Sequence, residues 1–188
     1  MIWTVVGAIA LAIWLVLILA RHGFWLARER DTRDLPPPPA QWPSVIAVVP
    51  ARDEADVIER SIGSLAAQDY PGDFHILLID DSSSDGTGDR ARALGSSRVE
   101  VVTGQPLAPG WTGKLWAVSQ GVALAGDNPT YLWLTDADIA HAPDTLRSLV
   151  ARGEAGRLAL VSLMARLNCA TFAERMLIPA FVFFFHML

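Results

Sequence analysis

Apolar residues are distributed along this chain in two regimes. The first is Ile2 to Ala20, an unbroken uncharged stretch of 19 residues. As a helix it measures about 28 Å, close to the hydrocarbon thickness of a bilayer. It has no polar face, unlike a core helix, and no basic residue precedes its apolar run, unlike a cleaved signal peptide. The pattern predicts one N-terminal transmembrane helix over residues 1–21, with Trp3 and Trp25 suited to the two interfaces. Arg21, Arg28, Arg30 and Arg33 follow, so the positive-inside rule puts that flank, and the rest of the chain, on the cytoplasmic side of the inner membrane. Residues 22–43 read as a connector, charged at "RERDTRD" and stiffened by four prolines in "LPPPP".

From Ser44 the period changes. "VIAVVP" (45–50), "HILLIDD" (75–81), "RVEVVTG" (98–104) and "YLWLTD" (131–136) are short apolar runs with the β-branched and aromatic content of buried strands, and "LALVSLMARL" (158–167) predicts a fifth. Between them lie stretches with helical spacing: 54–68, a helix opening near Asp85 and ending at Gly95, 114–126 closed by Gly126, and 143–153 with Pro143 near its first turn. Alternating strands and helices predict an α/β fold with a mainly parallel sheet flanked by helices over residues 44–168. Residues 169–188 read as the start of an apolar interfacial or membrane helix, apolar from Met176 onward.

Composition narrows the picture further. A net charge of −5 gives no support to nucleic-acid binding. Cys169 stands alone, so neither a disulfide framework nor a cysteine zinc site forms within one chain, and a small buried hydrophobe is its simplest role. His22, His75 and His141 show no metal-ligand spacing and read as structural or exposed, and His186 as an interfacial residue.

The candidate chemistry gathers where strands end, since ligands of parallel sheets bind at the carboxyl ends of the strands. Strand one ends in "PARDE", strand two in "DDSSSDG" and strand four in "TDAD". Acids crowded on one rim repel one another unless cations or donors balance them. One divalent cation with a phosphorylated ligand satisfies that demand. Asp136 and Asp138, at i and i+2 on a strand-to-loop junction, suit one hard cation, Mg²⁺ or Mn²⁺, together with a ligand hydroxyl. Alone, Asp-x-Asp is equally a solvated turn or a helix cap; the apolar strand leading into it and the two other acidic strand ends favour a site. Lys114 is the only lysine beside 14 arginines. It opens a helix after Gly110 and Gly113, where backbone N–H groups also attract anions, and is read as facing a phosphate; the alternative is a chance surface lysine. Arg52 to Glu54, Asp53 included, and Asp81 are read as nucleotide contacts, with helix capping by Asp53 and loop capping by the 80–85 run as the structural alternatives.

These blocks, "VIAVVPARDEADVIERSIGSLAAQDYP", "HILLIDDSSSDGT", "GWTGKLWAVSQG" and "LTDADIAHAPDTL", resemble the family 2 glycosyltransferases of the GT-A fold over Val45 to about Arg152. The run also looks like the hopanoid-biosynthesis-associated branch of that family. The resemblance implies a GT-A (Rossmann-like) domain and a metal-dependent transfer of sugar from a nucleotide-diphosphate sugar to a lipid or polyprenoid acceptor, a hopanoid for that branch. Pro50, Arg52 and Glu54 match the family's first nucleotide-binding loop. Asp81 matches its base-contacting aspartate, with Asp80 beside it. Asp136 and Asp138 match its Asp-x-Asp motif, with Asp138 the main metal ligand, and Lys114 matches a basic position near the donor.

The resemblance also places the family's catalytic carboxylate and acceptor-binding segments beyond Leu188. The expectation is therefore a C-terminally truncated chain whose catalytic residue is not among those present. Two other readings stand beside it. A nucleotidyltransferase shares the α/β plan but needs a glycine-rich basic loop after strand one, where this chain has the acidic "PARDEADVIERS". The other is a non-catalytic, donor-binding membrane module.

Overall fold

The computed structural model describes residues 1–21, 23, 26 and 35–187, so the expectations for His22, Trp25, Arg28, Arg30 and Arg33, and for the side chain of His186, lie outside the described residues. Two compact units result: Leu35–Ser162, and Met1–Asp34 with Leu163–Leu188.

The larger unit is built on four parallel strands. These are β1 (Val45–Ala51), β2 (Phe74–Asp80), β3 (Val99–Thr103) and β4 (Tyr131–Leu134), in the order β3-β2-β1-β4. The connecting helices are α2 (Ile58–Ala66), α3 (Thr87–Ala93) and α4 (Gly113–Ala125), and α5 (Thr145–Gly156) follows β4. Strand β1 pairs with β2 on one side and β4 on the other, and it is apolar at nearly every position because it is covered on both faces. Val45, Ala47, Val49 and Ala51 pack with Ile58, Ile62 and Leu65 of α2 and with Leu146 and Val150 of α5. The α2 trio, spaced i, i+4, i+7, is fully buried, and each such side chain contributes about 1.5–3 kcal/mol. The opposite face of the sheet gathers Leu77 and Ile79 with Ala117 and Ala125 of α4. Helix α4 approaches so closely that a Cβ on Gly121 would lie 2.3 Å from Val48 Cγ1.

The strand order reverses direction between β1 and β4, because the chain runs outward through β2 and β3 and then returns to the far side of β1. Such a switch point opens a crevice beyond the carboxyl ends of the two strands. The loop after β4 is fixed there by α2. Ser61 Oγ donates to Ile139 O (2.9 Å), His141 N donates to Ser64 Oγ (2.9 Å), and Gln68 Nε2 donates to Ala142 O (2.7 Å). Gln68 Oε1 then accepts from Leu146 N at the start of α5 (2.8 Å). Ser61 and Gln68 are almost wholly buried, and these bonds are what make their burial tolerable. The His141 ring lies edge-on to Trp133, with Nε2 3.1 Å from Thr135 Oγ1.

Three predicted elements come out differently. Residues 158–167 form no strand: the chain leaves α5 through Arg157 in the left-handed region (φ 49°), Leu158 N returns to Gly153 O, and Leu160 is exposed. Apolar composition alone does not make a strand, which needs a ladder partner, and none of these residues pairs with the short edge strand β4. Helix α2 starts at Ile58 rather than Glu54: residues 55–57 form a turn, and Glu54 and Ala55 give their N–H groups to side chains of another loop. Pro143 stands ahead of α5 rather than in its first turn, with its carbonyl accepting from Asp69 N.

In the other unit, α1 (Ile2–Leu15) runs on through a wider π-type turn to Ala20, giving a helix long and apolar enough to cross a membrane, with every residue at least partly exposed. Helix α6 (Phe172–Met187) opens with a reciprocal cap, in which Glu174 N donates to Thr171 Oγ1 and Thr171 N to Glu174 Oε2. It exposes Met176, Leu177, Phe181, Phe184 and Phe185.

This packing has two measurable consequences. Gly121→Ala drives a methyl into Val48 and lowers stability by about 1–3 kcal/mol, read by denaturant unfolding, despite alanine's better helix propensity. Burial holds the His141 imidazole below its ordinary value of 6.5. The neutral ring is favoured in the folded state, so the stability it contributes is complete above 6.5 and is lost as pH falls through the lower folded value. The melting temperature therefore drops between pH 7 and 5, and His141→Gln makes that drop smaller.

Candidate functional site

The loops following β1 and β2 are laced together. Their strands end level, Ala51 beside Asp80, so the segments beyond start side by side. Asp81 N donates to Ala51 O (2.8 Å), Asp53 N to Ser83 Oγ (3.0 Å), Glu54 N to Thr87 Oγ1 (2.8 Å) and Ala55 N to Asp85 Oδ2 (2.9 Å). In return Ser84 N donates to Asp53 Oδ1 (2.8 Å). Thr87, fully buried, also donates its hydroxyl to Asp85 Oδ1 (2.6 Å). Asp53 and Ser82 both hold positive φ, 53° and 58°, conformations that cost a non-glycine residue about 1–3 kcal/mol and persist only where the surroundings enforce them. Asp53 thus bridges two loops and does not cap α2. Asp85 carries the capping expected of its run, and its contacts with Thr87 and Ala55 lower its pKa.

Beyond this brace lies a cleft of about 270 Å³ lined by Pro50, Ala51, Arg52, Glu54, Asp81, Gly113, Lys114, Ala117 and residues 136–138. Pro50, Arg52, Glu54, Asp81, Lys114, Asp136 and Asp138, all singled out from sequence, share this one space. Asp80 does not line it. Its carboxylate turns back to accept from Ser83 N (3.0 Å) and abuts Gly88, so the chain places it under the loop.

Two ion pairs cross the cleft. Arg52 Nη1 lies 3.3 Å from Asp81 Oδ2, where Asp81 is nearly buried and Arg52 mostly exposed. Lys114 Nζ lies 2.7 Å from Asp136 Oδ1, with both side chains about half exposed or more. Gly113 brings the start of α4 against the first pair: a Cβ there would sit 3.0 Å from Asp81 Oδ2. Asp138 is exposed at the rim. Glu54 senses the whole cluster. Burial pushes its carboxyl up, and Asp138, Asp85 and Asp136 push it further, opposed by Lys114. The cleft is therefore a region of negative potential beside two cations, suited to a positive ion and an anionic, hydroxyl-bearing ligand together. Among the described residues no three His, Cys, Asp or Glu side chains converge as a metal site.

Sequence reasoning did not single out Thr87, Ser61, Ser64 or Gln68. A signal exists for three of them: Ser61, Ser64 and Gln68 repeat at i, i+3, i+7 beside the buried Leu65, a polar stripe on a face that ought to be apolar.

With this geometry in hand, comparison with known proteins is specific. The model of the glycosyl transferase family 2 matches residues 46–185. A 4,4'-diaponeurosporenoate glycosyltransferase from Staphylococcus aureus (strain bovine RF122 / ET3-1) is 32% identical over 123 residues, covering 62% of this chain and 31% of that protein. Among solved structures, a mannosyltransferase from Pyrobaculum calidifontis in complex with GDP-Man and Mn²⁺ superposes with a TM-score of 0.56 at 27% identity, over 77% of this chain and 43% of that one. TarS (1–349) from S. aureus shares the fold, with a TM-score of 0.50 at 22% identity over 61% of this chain and 33% of that one. The chain spans less than half the length of each of these relatives. The four-stranded parallel sheet, its flanking helices and the crevice at the strand ends are those of the GT-A fold, and the chain belongs to glycosyl transferase family 2.

Proposed function

We propose that this chain binds a nucleotide-diphosphate sugar at the cleft between β1 and β4 and serves the transfer of its sugar to a hydrophobic acceptor. The observation that carries the reading is the convergence of Arg52, Glu54, Asp81, Lys114, Asp136 and Asp138 on one cleft at the sheet's switch point. Asp81 is held by Arg52 and by backbone, so its remaining acceptor capacity suits the N–H groups of a base. Glu54, partly desolvated and lining the same cleft, suits ribose hydroxyls. The diphosphate is assigned to the start of α4, where Lys114 and free backbone N–H groups face the cleft.

The acidic excess around Glu54 fits a divalent cation, which Asp138, with Asp136, would hold; the Pyrobaculum mannosyltransferase, solved with Mn²⁺, supports that choice. When bound, such an ion neutralises charge developing on a departing diphosphate. In the transfer, an acceptor hydroxyl oxygen forms the new bond to the anomeric carbon and gives up its proton to a base, the bond to the diphosphate oxygen breaks, and its electron pair leaves with the nucleoside diphosphate.

The acceptor is assigned to the polyprenoid lipids, hopanoids among them, and the domain to the cytoplasmic face of the inner membrane. Three features support this. Ile2–Ala20 is a candidate membrane span flanked by arginines. Leu107, Trp111 and Leu115 are exposed in a stretch, 101–126, whose only charge is Lys114. The S. aureus relative is named as a 4,4'-diaponeurosporenoate glycosyltransferase.

Calorimetric titration of the detergent-solubilised full chain with UDP, GDP and their sugar conjugates tests the donor site. Binding is expected to require Mn²⁺ or Mg²⁺ and to weaken at least about tenfold in Asp138→Asn, the loss of one charge-assisted ligand. Unchanged cation-dependent binding in a folded Asp138→Asn would reduce the aspartate pair to a loop feature.

A further inference from the structure

We propose that Lys114 and the divalent cation compete for Asp136, so that binding of the cation and release of the lysine toward the donor's diphosphate are one coupled event. The inference rests on the donor-site reading above and concerns how that site fills.

The geometry begins with the contact itself. Lys114 Nζ lies 2.7 Å from Asp136 Oδ1, the distance of a direct charge-assisted hydrogen bond. Asp136 is also one of the two carboxylates that a cation in this cleft would use. A divalent ion on the same carboxylate brings two further positive charges within a few ångströms of the ammonium, so the two occupants disfavour each other.

The lysine has somewhere else to go. Its Cα is fixed, since α4 starts at Gly113, which is pressed against Asp81. Its side chain is mostly exposed and unbranched, so the ammonium moves by rotamer change alone. An anion entering at the α4 N-terminus meets the same ammonium together with the free backbone N–H groups. Arg52 pairs instead with the nearly buried Asp81, which is not one of the two aspartates assigned to the cation. Lysine chemistry suits such an exchange, since a compact point charge swaps partners more readily than a planar fork, and Lys114 is the one lysine among 15 basic residues.

Thermodynamic linkage follows. Asp136 is partly neutralised by Lys114, so the cation alone binds more weakly than the carboxylate pair permits. A diphosphate that attracts the ammonium frees Asp136 and tightens the cation, and by reciprocity the cation tightens the diphosphate.

The test uses the full chain in detergent micelles, with free Mn²⁺ counted by electron paramagnetic resonance, with and without GDP or UDP. Thermal unfolding confirms that each variant is folded, and Lys114→Arg accompanies Lys114→Met. Without nucleotide, Lys114→Met is expected to bind Mn²⁺ roughly two- to fivefold tighter than the parent, the range for an exposed ion pair. The tightening of Mn²⁺ that nucleotide produces in the parent should shrink by a similar factor, and Lys114→Arg should keep part of it. Equal or weaker Mn²⁺ binding by folded Lys114→Met, with nucleotide coupling unchanged, overturns the exchange while leaving the donor site intact. Absence of Mn²⁺ binding in every variant even with nucleotide overturns the donor-site reading and the exchange with it.

Discussion

Everything at this site depends on how two acidic loops are held without neutralising their acids. Strands β1 and β2 end at the same level, so residues 52–55 and 81–87 run side by side. Backbone amides and hydroxyls bind them together: Glu54 N to Thr87, Ala55 N to Asp85, Ser84 N to Asp53. Each of these bonds contributes only about 1 kcal/mol net, but breaking one strands a polar group and costs more. Two residues in the left-handed region, Asp53 and Ser82, survive because the brace determines their conformation from both sides.

The brace separates structural acids from available ones. Asp53, Asp80 and Asp85 spend their carboxylates on backbone N–H groups and hydroxyls. Glu54, Asp136 and Asp138 remain in the cleft, and the Glu54 carboxyl is pushed up first by its burial and then by repulsion from Asp138, Asp85 and Asp136. The cations are equally divided: Arg52 is tied to a nearly buried partner, whereas Lys114 holds an exposed one. Surplus negative charge beside an exposed ammonium is the electrostatic arrangement on which the proposed binding of a metal ion with a diphosphate rests. The third acidic loop, 135–142, is positioned by a different device, the polar stripe of α2, so the cleft's two sides are fixed by separate elements.

Much of this was legible in the sequence because it rests on short-range signals. Apolar runs of four to seven residues marked β1 to β4, helical spacing marked α2 to α5, and the rule that ligands sit at strand ends brought Arg52, Glu54, Asp81, Asp136 and Asp138 to one rim, while Lys114 stood out as the one lysine, at the start of a helix. What stayed hidden is long-range. Thr87 and Glu54 are 33 residues apart, and His141 and Ser64 are 77 apart, so no local pattern announces either bond. Asp80 and Asp81 are chemically identical neighbours, and only the turn geometry sends one under the loop and the other into the cleft. The apolar run 158–167 reads as a strand by composition, but whether a ladder partner exists is a property of the sheet and not of the segment.

The central claim is that the Asp136–Asp138 pair and the start of α4 jointly hold a metal-bound nucleoside diphosphate. Anomalous diffraction from crystals soaked with Mn²⁺ and GDP or UDP tests it most directly. The account predicts a manganese peak within coordination distance of Asp138 and a diphosphate beside Lys114. A nucleotide bound elsewhere, or manganese bound away from both aspartates, would contradict it.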